Sequence, residues 1–164
     1  MILSSHEIVG AAIVNSMPNH PVLGISLALA SHYLLDMVPH SDYELSGLLD
    51  EKAKAQGASW ENKAMLKSTA RGVVDFLVGA VICGLIFVHD ERTLVLTALG
   101  AFVGALPDLL QFIHAFYKGW PMRYVQRFHD FFHSPDKMLG KKVQGYLIQF
   151  AFALGAVCVF FLTK

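Results

Sequence analysis

Ser31-His32-Tyr33-Leu34-Leu35-Asp36-Met37-Val38-Pro39-His40 follows an apolar run from Val22 to Ala30. His32, Asp36 and His40 recur at every fourth position, and on a helix that spacing stacks side chains on one face, a turn apart. Three potential metal ligands therefore point the same way near the end of a hydrophobic helix. Pro39 drives the residue before it out of the α region, so the helix is expected to stop at Met37 or Val38, with His40 on the exit turn.

The chain around this stretch is unusually apolar. Of its 164 residues, 54% are hydrophobic and 16% charged, where soluble domains carry about a quarter charged residues. Four runs approach the ~20 residues of a membrane span. The expectation is one all-α domain over residues 1–164, an integral-membrane bundle of about five helices with an additional amphipathic interfacial helix. A soluble bundle with an apolar interface is the alternative. The bilayer is the expected partner; with a formal net charge of zero and no basic run, nucleic acid is not. Cys83 and Cys158 sit in apolar runs without metal-ligand spacing and read as small packing residues. No basic stretch followed by a long apolar run and a cleavage site opens the chain, which is read as unprocessed.

Ser4 and Glu7 have capping-box spacing and open a short helix that continues to Met17 and breaks at Pro18-Asn19-His20-Pro21. Too short for a full span, it is expected to fold back against the second helix, whose first turn Pro21 suits. Residues 40–62 read as an extramembrane loop with a turn or two of amphipathic helix around Glu51 to Ala55. A third helix is expected from Lys63 to Val88 and a fourth from Thr93 to about His114, kinked by Pro107. Pro121 can start an amphipathic helix through His133, and Val143 to Thr163 forms the last span. Trp60, Tyr117, Trp120 and Tyr124 read as interfacial aromatics.

Eleven lysines and arginines fall in the two loops that precede the third and last helices, the first of them extended into the first turns of the third helix, against Arg92 and Lys164 opposite them. The positive-inside rule then puts those loops in the cytoplasm. In this topology His6, His32, Asp36, His40, Asp108, His129 and His133, from four segments, share the cytoplasmic face. The other face has His20 and His89. An intramembrane carboxylate costs about 2.5 to 3.5 kcal/mol on insertion scales, so Asp36, Asp75 and Asp108 need partners. A divalent cation is one solution, and imidazole with carboxylate suits zinc, with manganese, iron or nickel as alternatives. The plainer solutions are an intrahelical His32–Asp36 hydrogen bond, an interfacial aromatic helix carrying His129 and His133, and a polar helix end at Asp108. Arg71 and Asp75 have the spacing of an ion pair, the preferred reading; Asp75 near a metal with Arg71 on a substrate phosphate is the other.

Ser31-His32-x-x-x-Asp36-x-x-Pro39, Gly104-Ala105-Leu106-Pro107-Asp108 and His129-Asp130-Phe131-Phe132-His133-Ser134 resemble three motifs of the bacterial membrane-bound metal-dependent hydrolases, a family that includes a LexA-regulated inner-membrane protein. The H-x-x-x-D element is also similar to that of zinc-dependent phospholipase C. The motifs cover about 25 residues. The H-x-x-x-D element stands last in the family and first here, and Leu110 and Gln111 occupy the places of a family Asp and His. The resemblance implies that His6, His32, Asp36, Asp108, His129 and His133 hold metal. With it, the sequence reads as a multi-pass hydrolase of the cell inner membrane, using a metal-activated water on a phosphoester or lipid headgroup. Asp36 and His40 would serve the chemistry, and Arg71, Arg123 or Arg127 would hold a phosphate. The alternative is a non-catalytic metal-binding or metal- or ion-transporting membrane protein.

Overall fold

The computed structural model describes residues 1–41, 63–133 and 141–163. The expected turn around Glu51, and Trp60, Ser134 and Lys137, lie outside them. Six helices make up the regular structure of the described residues: α1 Leu3–Ser16, α2 Pro21–Asp36, α3 Lys63–Phe87, α4 Glu91–Phe116, α5 Met122–Phe132 and α6 Lys142–Leu162. Three of them, α3, α4 and α6, are long and apolar enough to cross a membrane. The first of the four expected runs falls short, because α2 ends at Asp36 after 16 residues, about 24 Å at the helical rise. Val74, Leu77, Val81 and Leu85 of α3 and Leu147, Phe150, Leu154 and Phe161 of α6 are exposed on the outside of the bundle, a surface suited to lipid.

The shortest helix after α5 is the centre of the molecule. α1 packs against α2, α3, α4 and α6, and ten of its 14 residues are buried. Small residues make this possible. A Cβ on Gly104 would land on the His6 carbonyl oxygen, and one on Gly10 would land on that of Gly100. The Gly100-x-x-x-Gly104 face of α4 thus lets two backbones approach as GxxxG pairs do. Farther along, Ala11, Ala12, Cys83, Phe87, Ala101 and Phe160 form an apolar cluster, and Asn15 Nδ2 donates to Thr97 Oγ1 at 3.0 Å.

The start of α1 departs from expectation. Ile2 takes the N-cap place with no side-chain bond, so the Ser4–Glu7 capping box does not form. The free N–H groups of the first turn are met from other helices instead. Ser4 N and Oγ donate to Asp75 of α3 at 3.1 and 2.7 Å, and Ile2 N donates to Gln149 Oε1 of α6 at 2.8 Å. This also accounts for the ion pair of Arg71 with Asp75, which is absent among the described residues: the carboxylate turns inward to the positive end of α1, and Arg71 stays exposed. A capping box does form at the start of α4, between Asp90 and Thr93, and α4 runs past Pro107 to Phe116. Arg92 donates to Pro18 O at 2.6 Å and to Asn19 Oδ1 at 3.2 Å. It thereby ties the α1–α2 turn to the start of α4, at one end of the bundle.

Candidate metal centre

The other end of the bundle gathers the histidines and aspartates. His6 comes from the first turn of α1, His32 and Asp36 from the last turns of α2, Asp108 from α4 beside Pro107, and His129 from α5. His6, His32, Asp36, His40 and His129 are each at most 2% exposed. Tyr33 helps hold α5 in place, its ring meeting Phe128 at 5.1 Å and Phe132 at 5.4 Å, so that His129 is presented inward.

Four donor atoms converge. His32 Nε2 lies 3.1 Å from Asp36 Oδ2, 3.4 Å from His129 Nε2 and 3.9 Å from Asp108 Oδ1. His129 Nε2 lies 3.4 Å from Asp36 Oδ2 and 3.5 Å from Asp108 Oδ1. A tetrahedron whose corners lie 2.0 to 2.2 Å from a central zinc has edges of about 3.4 Å. The spacing therefore matches four ligands around one ion.

The imidazole orientation agrees with that fit. His32 Nδ1 is 2.7 Å from the Gly104 carbonyl, which can only accept, so Nδ1 carries a proton. In the neutral ring Nε2 is then bare, and it faces a carboxylate oxygen and a second imidazole nitrogen. His40 is anchored in the same way, Nδ1 donating to Val38 O at 2.7 Å, but its Nε2 accepts from the Met1 amine at 2.9 Å. A proton or a cation must separate such lone pairs, and anchoring of the outer nitrogen is how metal-ligating histidines are oriented. Asp36 Oδ2 and both ring nitrogens of His6 also lack a hydrogen bond among the described residues.

Asp36 faces two sets of donors. Its Oδ2 belongs to the first set, while Oδ1 lies 3.2 Å from His6 Nε2, 3.3 Å from the Met1 amine and 4.0 Å from His40 Nε2. Asp36, His40 and His133 form a second group whose donor atoms lie within 4.8 Å of one another. His6 also stacks on His32, with ring centroids 3.9 Å apart. Burial alone would lower the pKa of His129, but the Asp108 and Asp36 carboxylates outweigh it and raise the value to about 9. In the ion-free state His129 thus carries a proton that a metal must displace.

All seven residues read from the sequence as candidate ligands, His6, His32, Asp36, His40, Asp108, His129 and His133, meet at this end, and the cluster could hold a metal ion. The three arginines do not join it. Arg71, Arg123 and Arg127 are exposed, and the guanidinium of Arg127 lies 6.0 Å above the Tyr124 ring. Other contributors carry weaker sequence signals. Gly104 orients His32 through its carbonyl, and its spacing from Gly100 is the only trace of that role. Gln149, alone among apolar neighbours, is fully buried; besides accepting from Ile2 N, it donates to Ser41 O at 2.7 Å. Compared with protein-family models, curated proteins and solved structures, the chain matches none.

Proposed function

We propose that the protein is a membrane-bound metal-dependent hydrolase acting on a phosphoester at the cytoplasmic face of the inner membrane. The convergence of His32, Asp36, Asp108 and His129 at tetrahedral spacing, with a bare Nε2 on His32, carries the reading. His6, His32, Asp36, Asp108, His129 and His133 would hold the metal, for which zinc suits the donors best. A bound divalent ion supplies Lewis acidity and lowers the pKa of a coordinated water toward neutrality.

The chain's own residues do the rest. Asp36 joins the two donor sets through its two oxygens, so its carboxylate fixes how they face one another. His40, anchored through Nδ1, exchanges a proton at Nε2 with water or the leaving group once the Met1 amine, 2.9 Å away, gives up that nitrogen. α5 lies in the interface as an amphipathic helix, its exposed Tyr124, Phe128 and Phe131 in the headgroup layer. Arg123 and Arg127, exposed on the same helix outside the cluster, or Arg71, would meet the phosphate of an arriving substrate, drawn from lipid headgroups or soluble esters. The resemblance to the membrane-bound metal-dependent hydrolases supports the same chemistry.

One observation favours a second reading, a metal that only holds the bundle together. Four protein donors close a tetrahedron and leave no position for water. The test is to purify the protein, measure its metal content and assay a bis-phosphodiester reporter. The hydrolase reading expects stoichiometric divalent metal and turnover that Asp36→Asn abolishes while the helical fold persists. Metal without turnover on any phosphoester favours the structural reading, and absence of metal removes both.

A further inference from the structure

On the far side of α1 from the histidines lies a buried carboxyl that the hydrolase reading does not use. Glu7 is 0% exposed, and neither of its carboxyl oxygens has a hydrogen-bond donor among the described residues. Its carboxyl sits where α3 has no side chain, since a Cβ on Gly79 would meet Glu7 Oε2 at 2.5 Å. One turn before Gly79 on the same helix is Asp75, and the two acids interact electrostatically. Ser4, one turn before Glu7 on α1, donates its hydroxyl to Asp75 Oδ1 at 2.7 Å.

Burial of two carboxyl groups on facing helices is costly unless something positive lies between them. Arg71 does not fill that place. The oxygens assembled there among the described residues are two from Glu7, two from Asp75 and the Ser4 hydroxyl, whose lone pairs remain after it donates, with the neutral Cys83 thiol near Glu7. The atoms nearest a Cβ on Gly79 belong to Glu7 and Ser4, none of them to an imidazole, and Cys83 follows one turn beyond. Oxygen donors without nitrogen select hard cations over zinc and its neighbours. Asp75 is only half-buried, which leaves a way in from the end of the bundle where α1 starts.

We propose that Glu7, Asp75 and Ser4 form a second cation site, separate from the histidine centre and specific for a hard cation of the alkali or alkaline-earth class. Such an ion fastens α1 to α3 just as the histidine cluster fastens α1 to α2, α4 and α5. The site stands on its own geometry, whether or not the histidine centre is hydrolytic.

Thermal unfolding of the detergent-solubilised protein tests this, in choline chloride and with sodium, magnesium or calcium substituted at constant ionic strength. The histidine-bound metal is quantified in each sample. The expected result is a saturable rise of about 5 °C or more in the midpoint with one of the three cations. Glu7→Gln and Asp75→Asn each remove that rise without changing the metal content. Identical midpoints for the wild type in all four salts overturn the proposal and leave Glu7 a protonated carboxyl; so does a rise that both variants retain. Since the wild type alone gives the first answer, a variant that fails to fold does not blunt the test.

Discussion

α1 and α6 invert the rule that soluble proteins follow. α6 is the longer and more apolar, with Val143, Leu147, Phe150, Leu154, Phe161 and Leu162 all exposed. α1 carries Ser4, Ser5, His6, Glu7 and Asn15, and every one of these is buried. In a bilayer the outer surface is the greasy one, and the polar groups that a helix must carry for function are sheltered by its neighbours. What looked from its length like an incomplete span is the axis around which the long apolar helices are arranged.

The contrast is most severely tested by bulk. Gly104→Leu drives a side chain into the His6 backbone, and we expect a loss of about 3 kcal/mol or more, read as failure to recover monodisperse protein. Leu154→Ala on the outer face of α6 should change the unfolding midpoint by no more than the equivalent of about 0.5 kcal/mol. Equal sensitivity of the two sites would mean that α1 is not the packed axis.

Chemistry divides the histidine end around α1 from α6 next. His32→Ala should lower metal affinity by more than the roughly 10–100-fold that loss of an outer hydrogen-bond partner costs, as measured by competition with a chromophoric chelator. Gln149→Leu on α6 should retain metal but lower the midpoint, because the Ile2 N–H and Ser41 carbonyl it serves lose a partner.

Acidity gives a graded effect. Metal binding requires neutral His129, whose value in the ion-free protein is raised to about 9. Affinity should therefore climb about tenfold per pH unit from neutrality and level off near pH 9. The ion-free protein should behave oppositely: the stability from protonated His129 is complete below the ordinary histidine value near 6.5 and fades as pH rises through about 9. A flat affinity profile would place the displaced proton elsewhere. A small coupling is expected at the Asn15–Thr97 hydrogen bond, where Asn15→Leu with Thr97→Val should show about 0.6 kcal/mol in a double-mutant cycle.

How much of this was readable from residues alone depended on whether the signal was local. The i,i+4 spacing of His32, Asp36 and His40 survives folding because one helix carries it. The helical spans follow from apolar length, and the breaks at Pro18 and Pro21 from proline geometry. The role of α1 was not legible in the same way, because burial of a short helix depends on neighbours that arrive later in the chain. Local spacing also misled where a distant group competed better. Ser4 with Glu7 looked like a capping box and Arg71 with Asp75 like an ion pair, yet Asp75 caps α1 across the helix boundary and displaces both. Gly104 and Gln149 act through a backbone carbonyl and a side-chain amide, and such roles leave no pattern beyond an out-of-place residue.

Gln149 has one more consequence, for the order of assembly. Every histidine and aspartate of the cluster precedes α6 in the chain, and the amide that joins Ile2 to Ser41 arrives only when α6 has been synthesised and inserted. The residues of the histidine cluster are thus all made before the side chain that latches Ile2 to Ser41, and the last helix of the described residues is the one that closes this end.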